Sequence, residues 1–300
     1  MISTGGHLTI LESVDSTNNY AMAKVRTGLA KHGDGYFAMT QVSGKGQRGK
    51  TWVTEPGTNI ILTLVMQPSA LQLAQQFQFS AAIALAAHDF FAFYAGDETT
   101  IKWPNDIYWR DRKAGGILIE NIVGGGEWRV GGGEVASVRL ETGDMNAEVG
   151  VVSGEWDSKE QILQNADNGA ELRTKNSELQ TSSWLWAITG LGININQTAF
   201  PEHIRNAVSL KQITGKDWDV IDLAKDLCGQ VQTRYEQLLA GDNLLQEYNN
   251  HLFKKGQAVK FKKGSRVFEA MVKEVNMLGE LIVVTATEEH FNFGEIEWVF

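Results

Sequence analysis

The chain of 300 residues is 43% hydrophobic and 21% charged, enough for one large domain with a full core and a small second one. Its net charge of −9 argues against non-specific nucleic-acid binding, and its single cysteine, Cys228, excludes an intrachain disulfide framework or a cysteine zinc cluster. Met1 to His7 hold neither a basic nor an apolar signal region, so a cytoplasmic location is expected.

The elements follow in chain order. Leu8 to Leu11 is a short strand, and Asp15-Ser16-Thr17-Asn18 has the composition of a helix N-cap ahead of Tyr20, Ala21, Ala23 and Lys24. Tyr36 to Val42 alternates like a strand, and Asn59 to Met66 is a longer apolar one. Leu71 to Tyr94 is predicted as a buried helix, because its glutamines, His88 and Asp89 break it too often for a membrane span. Thr100 to Trp103 is a strand stopped by Pro104. Gly115 to Ile122 and Trp184 to Ile195 are predicted core strands. Asp219 to Ala240 is amphipathic, with Val220, Leu223, Leu227, Val231, Tyr235, Leu238 and Leu239 at helical spacing. From about Gly256 come short strands, Ala258 to Lys262, Arg266 to Val275 and Glu280 to Thr285, the pattern of a small β-barrel. Strands and helices mixed without regular alternation give α+β as the fold class.

Gly124 to Ser183 stands apart. It carries eleven acidic against five basic side chains, with candidate strands at Val135 to Leu140 and Val149 to Trp156 and a polar stretch at Ser158 to Asn176. It holds no recognisable chemistry and is expected to be a surface insertion. Deleting it between Val123 and Trp184 should keep any turnover by the chain within about tenfold, a barrier change of ~1.4 kcal/mol. A folded but inactive deletion would show that the segment helps to build the site.

Gly44-Lys45-Gly46-Gln47-Arg48-Gly49-Lys50-Thr51-Trp52 satisfies both the dinucleotide fingerprint and the P-loop pattern. Either motif should open a helix whose N-terminus faces phosphate. The following Val53-Thr54-Glu55-Pro56-Gly57 leaves no room for one, and no acidic residue lies between Gly57 and His88. What remains is a cationic loop with an aromatic on an acidic protein, suited to an anionic ligand with a flat ring.

Further dense motifs are Lys102-Trp103-Pro104-Asn105-Asp106, Lys113-Ala114-Gly115-Gly116-Ile117-Leu118 and Gly190-Leu191-Gly192-Ile193-Asn194. Taken with Ser16-Thr17-Asn18, Gln41 and the glycine-rich loop, their order and spacing resemble those of biotin protein ligases. The resemblance covers roughly residues 8 to 122 and 184 to 300. It implies a mixed-sheet catalytic domain at 1–254, interrupted by the insertion, and an SH3-like β-barrel at 255–300. The implied activity is biotin–[biotin carboxyl-carrier protein] ligation: ATP and biotin give biotinyl-5′-adenylate, and biotin passes to a lysine of a carboxylase's carrier domain.

A carboxylate is a poor acyl donor, so it must attack the α-phosphate, and cations must neutralise the charge that builds. The resemblance puts Lys113, followed by Gly115 and Gly116, beside the biotin carboxylate and α-phosphate. It puts Arg48 and Lys50 in a loop that closes over the adenylate, with Lys45, Gly46 and Gln47 contributing mainly backbone contacts. Ser16, Thr17, Asn18 and Gln41 offer donors and acceptors for the neutral ureido ring, although Ser16 and Thr17 also suit simple helix capping. Trp52 and Asn194 resemble the adenine contacts. Asn105 and Asp106 would lie near the phosphates, where Asp106 could orient the attacking lysine, help position Mg²⁺, or merely cap the turn after Pro104. No dedicated metal-ligand set is visible.

Two departures stand out: Gln47 replaces an arginine common in the family, and the 124–183 segment replaces a short hairpin loop. About seven residues precede the first strand, too few for the DNA-binding winged helix of some members, so no nucleic-acid partner is expected. A monomer or homodimer, off the membrane, is expected. Three alternatives remain: a lipoate or octanoate ligase of the same superfamily, a P-loop NTPase using Gly49-Lys50-Thr51, and a biotin-binding module without turnover.

Overall fold

The computed structural model describes residues 7–124, 183–202, 204 and 206–299. The candidate strands within 124–183 lie outside the described residues. The elements in order are β1 (Leu8–Val14), α1 (Thr17–Arg26), β2 (Gly35–Gln41), β3 (Ile60–Met66), α2 (Gln76–Ala95), β4 (Thr99–Lys102), β5 (Asp106–Trp109), β6 (Arg112–Gly124) and β7 (Ser183–Ile193). There follow α3 (Leu210–Thr214), α4 (Val220–Ala240), α5 (Leu244–Asn250), β8 (Ala258–Lys263), β9 (Arg266–Val275), β10 (Leu281–Val284), β11 (Glu288–Phe291) and β12 (Glu297–Val299).

Seven strands form one mixed sheet in the order β1-β2-β3-β7-β6-β5-β4, parallel between β1 and β2 and antiparallel elsewhere. The continuous apolar run of β3 reflects cover on both faces. Its side chains alternate: Ile60, Leu62, Leu64 and Met66 join the core beneath α2 and α4, whereas Val65 packs with Ala21, Met22 and Val25 of α1. Ile61 and Thr63 share the α1 face, and that face carries the site.

The helix predicted from Leu71 begins at Gln76, because a short 3₁₀ turn at Leu73–Gln75, boxed by Gln72 and Gln75, precedes it. The amphipathic helix α4 spans Val220–Ala240 with Asp219 as its N-cap. Its predicted apolar face is buried except for Leu239, which is 42% exposed.

The C-terminal strands form a five-stranded antiparallel sheet in the order β11-β10-β9-β8-β12, consistent with the SH3-like domain expected from the sequence, although the sheet does not close into a barrel. Among the described residues β11 and β12 stay as edges, since β12 pairs with β8 over only three residues and lends Glu297 and Trp298 to the cavity described below. Trp103 Nε1 donates to Gly279 O at 2.9 Å, and the turn at Gly279 approaches Phe77 so closely that a Cβ there would lie 2.7 Å from its ring. With φ of +85°, Gly279 is in a conformation that favours glycine. Asn249 adds a reciprocal pair of bonds to Val275. The small sheet is therefore seated on the Lys102–Asp106 motif.

Candidate active site

A cavity of about 720 Å³ opens on the α1 face of the large sheet. Its walls are the start of α1, the glycine-rich loop, the 102–106 turn, the middles of β3, β6 and β7, and the segment 293–298 of the small sheet.

Lys113 reaches it through a β-bulge. Simple alternation along β6 puts Gly116, Leu118 and Glu120 on one face and Lys113 on the other. The β5–β6 register, however, runs from Ile107 opposite Gly115 to Tyr108 opposite Lys113, which leaves Ala114 as an extra residue. The bulge reverses the parity and re-aims Lys113 into the cavity. There its Nζ donates to Asp106 Oδ1 at 2.6 Å. A Cβ on Gly116 would sit 3.2 Å from that oxygen and 3.3 Å from Nζ, so glycine leaves room for the pair. The backbone of Lys113 is clamped as well: its N–H donates to Asn206 O at 2.5 Å, and its carbonyl accepts from Val208 N–H at 2.9 Å.

The start of α1 supplies an uncharged polar lobe. Ser16 occupies the N-cap with extended dihedrals (φ −152°, ψ 134°), yet its side chain makes no capping bond, and it is buried against the cavity. Gln41 Oε1 accepts from Thr17 N–H at 2.9 Å. Beneath them lies Thr63, wholly buried, with its hydroxyl 2.8 Å from Thr17 Oγ1 and 2.7 Å from Asn18 Oδ1. Asn18 is pressed against β7, where a Cβ on Gly190 would fall 2.4 Å from Asn18 Oδ1. Thr63→Val keeps the shape and removes both contacts. It should cost about 1–3 kcal/mol through the stranded partners, read from denaturant unfolding; an unchanged midpoint would count against this network.

The glycine-rich loop is a tight hairpin, closed by a bridge between Lys45 and Thr51 and by Gly46 N–H donating to Lys50 O at 2.6 Å. No helix follows Thr51, so the geometry of a P-loop or dinucleotide fingerprint is absent here. Arg48 adopts φ of +55°, and its guanidinium carbon lies 3.3 Å from where a Cβ on Gly294 would be. Trp52 lies flat on Gly192, where a Cβ would come within 2.6 Å of the indole, and Lys113 Nζ stands 5.7 Å from its ring centroid. Trp52 Nε1 and Asn105 Oδ1 are buried without a protein partner. The Asn105 amide is fixed by donation to Ile117 O at 2.5 Å.

Ser16, Thr17, Asn18, Gln41, Lys45, Gly46, Gln47, Arg48, Lys50, Trp52, Asn105, Asp106, Lys113 and Gly116 all line this one cavity. Two predicted positions do not. Gly115 packs β6 against β7, where a Cβ would lie 2.8 Å from Gly192 O. Asn194 turns its amide to Lys113 O and Val208 O, at 3.4 and 3.2 Å, and so builds the seat of Lys113 instead of a cavity wall. Sequence reasoning missed Thr63, whose signal is a lone hydroxyl in an apolar strand. Lys102, in the 102–106 motif, is a further residue of the site. Lys102 lines the cavity, donates to Tyr108 Oη at 3.1 Å and lies 5.5 Å from the Trp298 ring centroid. Burial pushes its ammonium down to about 8; nearby Asp106 opposes this, while Lys113 and Lys50 reinforce it.

The fold and cavity together define a mixed-sheet α+β protein in which a cationic loop faces an uncharged polar lobe. Its overall structure is that of solved biotin protein ligases. It aligns with the Aquifex aeolicus biotin protein ligase in complex with biotin and ATP at a TM-score of 0.67 and 18% identity, over 98% of each chain. With the Leishmania major ligase in complex with biotinyl-5-AMP the TM-score is 0.54 at 20% identity, over 95% of this chain and 98% of that one. Residues 10–128 match the model of the biotin/lipoate A/B protein ligase family. Over 116 residues it is 34% identical to the bifunctional ligase/repressor BirA of Escherichia coli K12, covering 39% of this chain and 35% of BirA. Over 115 residues it is 38% identical to the biotin–[acetyl-CoA-carboxylase] ligase of Paracoccus denitrificans, covering 37% of this chain and 46% of that protein. In these matches the chain spans less than half the length of the curated relatives. Among the described residues, no helix is long and apolar enough to cross a membrane.

Proposed function

We propose that this chain is an ATP-dependent biotin protein ligase. The observation that carries this reading is the Lys113–Asp106 pair, aimed by a bulge into a cavity with an uncharged polar lobe on one side and a cationic loop on the other. The lobe of Ser16, Thr17, Asn18 and Gln41 suits the ureido ring of biotin. Lys113 would hold the biotin carboxylate against the α-phosphorus of ATP. One carboxylate oxygen forms the new P–O bond, the bond to the bridging α–β oxygen breaks, and pyrophosphate leaves. Lys113, Arg48 and Lys50 would carry the charge that gathers on the α-phosphate oxygens. Trp52 is suited to stack on adenine. In the second step the neutral amine of a carrier-domain lysine attacks the acyl carbon, AMP leaves and the amine's proton passes to solvent; Asp106 would orient that amine.

The described residues hold no group of three potential metal ligands. A Mg²⁺ would accordingly arrive on the ATP phosphates, keeping most of its waters, with Asp106 as the protein group able to hold it. When bound, the ion would supply charge neutralisation. The macromolecular partner would be a biotin carboxyl carrier domain, and a reducing cytoplasm suits the lone Cys228.

The test is isotope exchange between pyrophosphate and ATP on the purified full chain. Exchange that depends on biotin is expected. Exchange driven instead by lipoate or octanoate, or none at all, would overturn the reading.

A further inference from the structure

Resting on this ligase reading for its ligand, we propose that Glu120 is a positioning residue that latches the glycine-rich loop to the floor of the cavity. Glu120 follows Gly116 and Leu118 on the cavity-side face of β6, and its side chain is only 13% exposed. Its two carboxylate oxygens serve different parts of the site. Oε2 accepts from Asn18 Nδ2 at 2.8 Å, and Oε1 accepts from Lys45 Nζ at 3.5 Å. Asn18 is in turn held by Thr63, so this arm of the network starts under the polar lobe and ends on the loop. Lys45 sits at the base of the hairpin, in the bridge to Thr51, and fixing it fixes the base of the loop that carries Arg48 and Lys50.

The space around the loop gives the latch its purpose. On the inner side is the 720 Å³ cavity; on the outer side lies a cleft of about 510 Å³, lined by Val42, Lys45, Leu118 and Glu120 among others. Lys45 and Leu118 line both spaces, and Glu120 meets Lys45 from the side of the cleft. It also answers an electrostatic problem, since a carboxylate this near an anion site repels the ligand unless a cation neutralises it. Through Glu120, a ring seated against Asn18 and phosphates seated under the loop become parts of one closed state.

The latch can be tested without ligand, by hydrogen exchange of the amides at 45–51 in the full chain. Glu120→Gln keeps an acceptor for Asn18 and removes the charge. It should speed exchange up to about fivefold, the size expected of a partly exposed ion pair. Lys45→Gln should do the same, and the double variant should be no faster than either single one. Raising salt should move wild type towards the variants and leave the variants unchanged. Lys45→Gln, at a half-exposed loop position, carries the test should Glu120→Gln fail to fold. In the second arm, adenylate made in place from biotin and ATP should leave both variants faster by a similar factor. Unchanged amide exchange, or additive effects of the two substitutions, would overturn the latch. A wild-type chain without biotin-dependent activity would overturn the ligase reading and still leave the first arm able to test the latch.

Discussion

Replacing Lys113 by alanine should lower biotin-dependent pyrophosphate exchange about a hundredfold while the chain stays folded. The rate effect follows from where charge builds. One charge-assisted contact that strengthens in the transition state, in a partly dehydrated site, is worth roughly 3 kcal/mol. The folding expectation follows from how the residue is held. Its place in the chain is fixed by main-chain bonds to Asn206 and Val208 and by its register opposite Tyr108 in the β5–β6 ladder, none of which needs the side chain. Its side chain is about a third exposed, so truncation leaves no sealed void. Asp106 loses its partner but stays in contact with solvent. Circular dichroism and the unfolding midpoint should therefore match wild type, and single-turnover adenylate formation should carry the whole deficit. Near-normal exchange in the variant would remove Lys113 from the proposed chemistry.

Lys113 also shows what a sequence can and cannot tell. Its place in the candidate site was legible, because a lysine before two glycines sits in a motif of known type. Its direction was not, because strand periodicity puts it on the wrong face and only the extra residue Ala114 in the ladder corrects the parity. Elements with one dominant cause were readable: β3, β6 and β7 as apolar runs covered on both faces, and α4 from its helical spacing. Asp106–Trp109 passed unnoticed as a strand because it is four residues long and mixes charge with aromatics. Asn194 was given a ligand role on its motif, whereas its amide serves main-chain carbonyls. Phe293 and Trp298 reach the cavity only because Gly279 and Asn249 seat the small sheet on the large one. Such placements depend on tertiary contacts, 176 residues apart along the chain for Trp103 and Gly279, and no local pattern encodes them.

The second large effect belongs to Lys102 and depends on pH. An unfolded lysine titrates near 10.5, and in the folded chain burial brings this ammonium down to about 8. Between these values the unfolded state binds more protons than the folded one, so stability rises with pH across the window. Below about pH 8 the buried charge is a liability of roughly 3 kcal/mol, an order of magnitude taken from the size of the shift. Lys102→Met should therefore unfold at higher denaturant concentration than wild type at pH 7, and its stability should lack the rise between pH 8 and 10. Function would require that liability. Lys102 lines the cavity beside Lys113 and Lys50, where a polyphosphate would sit, and an anion there favours the charged form. Below pH 8 the lysine is already protonated, and ATP affinity should not change with pH on its account. Above pH 8 binding must take up a proton, so affinity should weaken towards about tenfold per pH unit. Lys102→Arg stays charged throughout and should flatten this dependence. Calorimetry of ATP binding at pH 7, 8 and 9, in buffers of different ionisation heat, reads both the affinity and the proton uptake. A flat wild-type profile with no uptake at pH 9 would mean that Lys102 does not meet the phosphates. A Met variant no more stable than wild type at pH 7 would mean that its charge is better solvated than its burial implies.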